Sequence, residues 1–137
     1  MKRVYQTDTS KERGNCVQAC IASIFNLTLT QVPNFTNLNP KNNISEMIKW
    51  VVGEGYSIII LKDLYDGTSG TMCLATIRSK RHPTAHHMVV GRLNFDGDVV
   101  LLHDPDTSGK NKIGQEIEWV KLYFIFRGSR YLHKLDR

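Results

Sequence analysis

The stretch from Gly14 to Phe25 constrains the fold more than any other part of this sequence. Its apolar residues recur at the i, i+3, i+4, i+7, i+8 spacing of a helix with one buried face, which predicts a helix from Cys16 to about Asn26. Gly14-Asn15 precedes the periodic residues, so Cys16 falls at or just before the first turn. The first N–H groups of a helix lack intrahelical acceptors, and the helix dipole is positive at that end. A thiol placed there should therefore ionise more readily than a free thiol. The start of this helix is thus a position where a nucleophilic cysteine is expected.

Size and composition predict one globular domain spanning residues 1–137. A chain of 137 residues with 41% hydrophobic residues can form one core and is too short for two ordinary ones. No apolar run approaches the ~18 residues that cross a bilayer, and the first residues lead into polar sequence, so we expect a cytoplasmic protein with no membrane partner. Cys16, Cys20 and Cys73 cannot all pair with one another, which favours free thiols in a reducing compartment.

The net charge of +5 comes from 18 Lys and Arg against 13 Asp and Glu, spread along the chain. Such a surface attracts acidic partners, but there is no dense basic run and no RNA-type aromatic motif. Nucleic-acid binding is therefore not indicated. The sequence leaves the oligomeric state open.

Helical patterns come first in the chain and strand patterns follow. A second helix is predicted from about Asn43, with Asn43 as its cap and Gly53 and Gly55 as its end. Turn residues such as Asp66-Gly67 and Ser69-Gly70 separate the later runs, and the Asp-Gly pair within Asn94–Asp98 predicts a hairpin. The strand-like runs are Ser57–Leu61, Thr71–Ile77, Met88–Leu93, Val99–His103 and Ile117–Phe126. This order predicts an α+β domain with helices packed on an antiparallel meander.

The predicted hairpin brings together side chains that can do proton chemistry. His86-His87 begins one strand and Asp104-Pro105 ends its partner, so His87 and Asp104 should be neighbours in an antiparallel pair. Adjacent strand residues face opposite sides, so only one of His86 and His87 can reach the cysteine, and alternation alone permits either. With the Cys16 helix on the same sheet, a nucleophile, a base and an orienting carboxylate would meet.

Several of these segments resemble one known family. Gly14-Asn15-Cys16-Val17-Gln18-Ala19-Cys20-Ile21-Ala22 is similar to the Asp-Cys-Gly-x-Ala-Cys-Leu-Ala signature of the bacteriocin-leader peptidases, papain-like enzymes that cleave double-glycine leader peptides. His87-Met88-Val89-Val90 looks like that family's His-aromatic-Val-Val strand, and Leu102–Pro105 looks like its segment ending in Asp-Pro. The Gly-Asn-Cys-x-Gln-Ala opening also resembles small papain-like proteins of bacteria and phages.

The resemblance implies a papain-like fold and a cysteine peptidase or amidase that needs no cofactor or metal and acts on a peptide or protein. It implies Cys16 as nucleophile, His87 as general base and acid, Asp104 as the carboxylate that orients the base, and Gln6 as the oxyanion donor beside the Cys16 N–H. Gln6 lies further ahead of the cysteine than the family's glutamine does, and a longer loop from Thr7 to Arg13 would restore its position. The other candidate donor is Gln18, which two residues into a helix should point away.

Other interpretations remain open at this stage. Cys20 and Cys73 fit the role of small buried hydrophobes. A zinc site built from Cys16, His86 or His87, and His103 has suitable ligand types but lacks the usual spacings. The fold could also serve as a binding or inhibitory module, for example a phage protein acting on a host factor, or the thioester could be captured by an amine in acyl or amide transfer.

Overall fold

The computed structural model describes residues 1–61, 70–127 and 130–131. In these residues three helices precede the strands: α1 spans Cys16–Ile24, α2 spans Phe35–Leu38 and α3 spans Asn43–Gly53, with a 3₁₀ turn at Leu29–Gln31. The α1 helix begins at Cys16 as predicted.

Two predicted helix boundaries were wrong. The α1 helix ends at Ile24 and not at Asn26, because Asn26 adopts a left-handed φ of 56° that cannot continue a helix. The α3 helix is capped by Asn42 and not by Asn43: the Asn42 side chain accepts a hydrogen bond from the Ser45 N–H, and Asn43 is already helical.

The described strands form one antiparallel sheet, which confirms the α+β class. Six of them follow the order β1-β6-β2-β3-β4-β5, and β7 pairs with the end of β6. The turns predicted within residues 62–69 lie outside the described residues. The strand bounds are β1 Ser57–Leu61, β2 Met72–Arg78, β3 His86–Leu93, β4 Val99–His103, β5 Glu116–Ile117, β6 Lys121–Arg127 and β7 Arg130–Tyr131.

The prediction of a simple meander ending in one long strand was wrong. The chain from β2 to β5 does form a meander, but β6 then crosses the sheet and lies between β1 and β2. The predicted strand Ile117–Phe126 is therefore divided into β5 and β6, because β5 pairs with β4 at the sheet edge while β6 pairs with strands in its middle. The intervening residues 118–120 make the crossing.

Apolar side chains pack on both faces of the sheet. The helices cover one face, where Val17 and Ile21 of α1 are buried with Leu74 and Met88 of the sheet. The buried side chains of the other face all come from strands, and the partly buried Trp119 packs against them. No single helix of the described residues is long and apolar enough to cross a membrane; α1 and the segment Leu29–Leu38 pass that test only together, across a bend of 95°.

A β-bulge interrupts the pairing of β3 with β4. Gly91 pairs with Leu101, whereas the preceding Val90 pairs with His103, so Leu102 is one extra residue in β4. The predicted hairpin before it is confirmed, since β3 and β4 are antiparallel neighbours joined through Asn94 and Asp98.

Asp104 directly follows β4 and its bulge. The register shifts by one residue between Val90 and Gly91, and Asp104 comes immediately after the residue that pairs with Val90. Asp104 therefore lies at the end of the sheet where β3 begins with His86 and His87. Gly91 permits the close approach at the bulge, because a Cβ there would lie 2.8 Å from Cγ1 of Val99.

Candidate active site

Cys16 is the accessible thiol of this protein. It is the first residue of α1 and lines two adjoining clefts, and its N–H lies in the first turn, where N–H groups have no intrahelical acceptor. Cys20 and Cys73 are buried, as predicted; burial raises the pKa of Cys20 well above its usual value and the pKa of Cys73 to about 12. The Cys20 thiol donates a hydrogen bond to the Met88 carbonyl, 3.3 Å away.

His87 joins Cys16 to Asp104. Its Nε2 lies 2.6 Å from Oδ1 of Asp104, and its ring lines the same two clefts as Cys16, whose side chain contributes to raising the pKa of His87. His86 is exposed and lines both clefts. The structure thus brings Cys16, His87 and Asp104 together, with His87 as the histidine between the other two.

Asp104 is held by three hydrogen bonds. Besides His87, the Asn111 side chain donates to Oδ2 at 2.8 Å and the Asp106 N–H donates to Oδ1 at 2.9 Å. Asp106 in turn forms a two-point ion pair with Arg81, at 2.9 Å for each contact. Sequence reasoning missed Asn111, whose only signal is an amide in the polar loop after Asp-Pro.

The contacts of His87 and Asp104 shift both groups toward their charged forms. Burial by itself would lower the pKa of His87, but the hydrogen bonds and charges of Asp104 and Cys16 outweigh it and raise this pKa to about 10. Burial would raise the pKa of Asp104, and the bonds from His87, Asn111 and the Asp106 N–H outweigh it and lower this pKa. At neutral pH the site therefore holds an imidazolium between the Asp104 carboxylate and Cys16.

Stability should depend on pH through His87. Its pKa rises from 6.5 to about 10 on folding, so its contribution is fully present below pH 6.5 and is lost as the pH rises to about 10. The pKa of Asp104 is lowered, so its contribution is present above its ordinary value of 3.8 and is lost as the pH falls through the folded value. We expect the free energy of unfolding, measured by urea denaturation, to fall by a few kcal/mol between pH 6.5 and 10, since one pKa unit corresponds to about 1.4 kcal/mol.

His87→Gln is the control for this dependence, because it removes the titrating group and leaves the other ionisable residues in place. The fall between pH 6.5 and 10 should be much smaller in that variant. Parallel curves for the two proteins would contradict a raised pKa at His87.

Gln6 lies beside the same site. The N-terminal segment is tied down on both sides of Asp104, since the Gln6 N–H donates to the Pro105 carbonyl at 3.0 Å and the His103 ring bonds the Val4 carbonyl at 2.7 Å. Gln6 lines the smaller cleft together with Cys16 and His87. One amide N–H of Gln6 donates to the Asp8 carbonyl at 2.8 Å, which leaves the second N–H for another acceptor.

Asn15 positions that segment, a role that sequence reasoning missed. Its side-chain oxygen does not cap α1; it accepts the N–H groups of Thr7 and Asp8, both at 3.0 Å. Its amide nitrogen donates to Thr7 Oγ1 and to Oε1 of Gln18. The residue before Cys16 thus fixes the residues after Gln6, and the extra length of the loop is taken up between residues 9 and 13.

Gln18 points away from the site, as predicted. It is buried, and its amide nitrogen donates to the carbonyls of Leu29 and Val32, both at 3.0 Å. Its side chain therefore joins α1 to the following turn and has no donor left for a substrate.

Two clefts of different character meet at Cys16. We call the first, of about 350 Å³, the apolar cleft, and its walls contain Val17, Ile44, Met88, Val120 and Tyr123. We call the second, of about 100 Å³, the polar cleft; it lies between the loop after Gln6 and the loop before β3. Cys16, Asn43, His86 and His87 line both.

The zinc alternative has no geometric support in the described part of the chain. No group of three or more His, Cys, Asp or Glu side chains there is placed to hold a metal ion. His103, one of the ligands considered, is buried and bonded to the Val4 carbonyl.

The sequence matches no model of a known protein family, and a search of curated proteins also found no match.

Proposed function

We propose that this protein is a thiol hydrolase, a cysteine peptidase or amidase with a papain-like fold, that acts through a Cys16–His87–Asp104 triad. One observation carries the proposal: an accessible cysteine at a helix N-terminus shares a hydrogen-bonded histidine with a buried aspartate. The three free cysteines fit a reducing compartment, and we propose the cytoplasm.

In the first half of the reaction, the Cys16 thiolate attacks the carbonyl carbon of an amide and forms a C–S bond. The electron pair of the C=O bond moves to oxygen, where the Cys16 N–H and the free Gln6 N–H donate to the oxyanion. As the intermediate collapses, the C–N bond breaks and His87 gives its proton to the departing amine. The product is an acyl-thioenzyme and a free amine.

In the second half, water replaces the amine. Neutral His87 takes a proton from water while the oxygen attacks the thioester carbon, and the C–S bond breaks to release a carboxylic acid and the Cys16 thiolate. Asp104 remains ionised throughout and holds the imidazole through Nε2, so that Nδ1 faces the thiol.

The test of this proposal uses p-nitrophenyl acetate as a generic acyl donor. We expect the wild type to release p-nitrophenol in a burst and to carry one acetyl group on Cys16 by peptide mass spectrometry. Cys16→Ala should lose both signals while folding normally, because Cys16 is partly exposed and packs only at the margin of the core. Cys20→Ala is the matched control, and it should keep acylation while it loses stability from a buried position.

Each alternative gives a different result in the same assay. Absence of acetyl-Cys16 in a folded wild type would contradict the hydrolase and favour a binding module. Acetyl-Cys16 that is stable in water but is discharged by added glycine ethyl ester would identify an acyltransferase in place of a hydrolase.

A further inference from the structure

The apolar cleft has the size and position of a specificity pocket. Its volume of about 350 Å³ lies at the lower end of the range for small-molecule sites, about 300–1,000 Å³. Buried Val17, Met88 and Tyr123 are among its lining residues, and Cys16 and His87 line it as well. A group seated in this cleft would be next to the reacting carbonyl.

Val120 leaves apolar surface open at this cleft. It is 42% exposed in the segment that crosses from β5 to β6. This placement is fixed, because the Val120 N–H donates to the Thr76 carbonyl at 2.8 Å and the Lys121 N–H donates to Thr76 Oγ1 at 3.1 Å. An exposed valine held in place beside a nucleophile offers apolar contact to a ligand.

Lys121 supplies the cation of the same cleft. It lines the apolar cleft next to Val120, and no carboxylate of the described residues forms an ion pair with it. An ammonium beside apolar walls attracts a carboxylate more strongly than it would in open water.

The polar cleft differs from the apolar cleft in its size and in the state of its cations. It is smaller, Arg81 in its wall is already paired with Asp106, and the Lys11 ammonium in its wall donates to Thr84 Oγ1 at 2.8 Å. Of these two clefts, the apolar cleft is therefore the one suited to an apolar substrate group beside Cys16.

We propose that the apolar cleft selects the substrate: a peptide or acylamino acid with an apolar side chain beside the reacting carbonyl and a carboxylate within reach of Lys121. This inference rests on the proposed function, because it assigns the cleft to the reaction of Cys16. Val120 contacts the apolar side chain, and Lys121 pairs with the carboxylate.

Three chloroacetyl reagents test the two contacts separately: chloroacetyl-glycinamide, chloroacetyl-leucinamide and chloroacetyl-leucine. In each reaction the Cys16 thiolate forms a C–S bond with the CH₂ carbon and chloride leaves with the electron pair. The second-order rate at Cys16, divided by the rate of the same reagent with glutathione, should be at least tenfold higher for leucinamide than for glycinamide. The normalised rate for chloroacetyl-leucine, which carries a free carboxylate, should be severalfold higher than that for chloroacetyl-leucinamide. This difference between the two rates should become smaller at high salt.

Matched variants identify the residues responsible for the two rate preferences among these reagents. Val120→Ser, which adds no charge beside Lys121, should bring the ratio of the leucinamide rate to the glycinamide rate down toward one, and Lys121→Gln should abolish only the gain from the carboxylate. Val52→Ser is the first control, since Val52 is exposed on α3 and does not line the cleft. Lys112→Gln is the second, since Lys112 lines a separate cleft.

The outcomes separate the two proposals. Fast reaction of Cys16 with all three reagents at equal normalised rates would overturn the substrate assignment and leave the hydrolase in place. Equal losses in the variants and their controls would also overturn it. Failure of Cys16 to react faster than a free thiol with any of the three would overturn both proposals.

Discussion

Replacing His87 by Gln is expected to slow the alkylation of Cys16 by iodoacetamide at pH 7 by about 100-fold. In the proposed mechanism His87 holds the proton of the Cys16 thiol, and the thiolate is the nucleophile. The rate at Cys16 is measured by peptide mass spectrometry over a pH series.

The other two cysteines report whether the variant is folded. Cys20 and Cys73 are buried, so they should stay unlabelled in both proteins, and their labelling in His87→Gln would reveal unfolding. His86→Gln is the matched substitution at the neighbouring, exposed histidine and should change the rate at Cys16 by less than threefold. Equal rates in wild type and His87→Gln would remove His87 from the mechanism.

Replacing Gln6 by Met is expected to slow acylation of Cys16 by p-nitrophenyl acetate by about 100-fold and to leave its alkylation by iodoacetamide within twofold. Attack on the ester carbonyl creates an oxyanion, and loss of one donor to it typically costs 10²–10³ in rate. Displacement of iodide from a CH₂ group creates no oxyanion. The ratio of the two rates therefore isolates the donor role of Gln6 from any general disturbance of the thiol.

Gln18→Met is the control for this ratio. The Gln18 amide nitrogen bonds two backbone carbonyls and its oxygen accepts one bond from Asn15, so its loss should lower the free energy of unfolding by about 1–3 kcal/mol. The Asn15 side chain has three further bonds, to Thr7 and Asp8, that hold the segment after Gln6 in this variant. The ratio of acylation to alkylation should not change. An equal fall of both rates in Gln6→Met would indicate that Gln6 supports the fold around Cys16 and donates to no oxyanion.

The chemistry-bearing residues could be identified from the sequence because each has a local signal. The apolar period of α1 predicts that Cys16 begins a helix, and the Asp-Gly hairpin predicts that His87 and Asp104 lie at the same end of two paired strands. These signals depend on residues within one turn or one hairpin, where propensity and periodicity act directly. Their meeting in the structure follows from that pairing and from the packing of α1 on β3.

The helix ends and the crossing strand could not be predicted in the same way. The cap at Asn42 in place of Asn43 is a difference of one residue between two equally suitable side chains. The division of Ile117–Phe126 depends on partners far away in the chain: β5 completes the edge beside β4, whereas β6 is held between β1 and β2. An apolar strand pattern does not indicate which other strand of the sheet that strand will pair with.

The sequence by itself determined the elements and the residue types of the site: a cysteine at a helix start, a pair of histidines at a strand start and an aspartate at a strand end. Tertiary structure alone decided which of these side chains meet. His87 bonds Asp104 from a neighbouring strand, Asn15 fixes the residues that follow Gln6, and Asn111 reaches Asp104 from its own loop. Periodicity specifies the direction of a side chain only within its own element, whereas a bulge, a closed loop or a distant hydrogen bond forms when separate elements pack together.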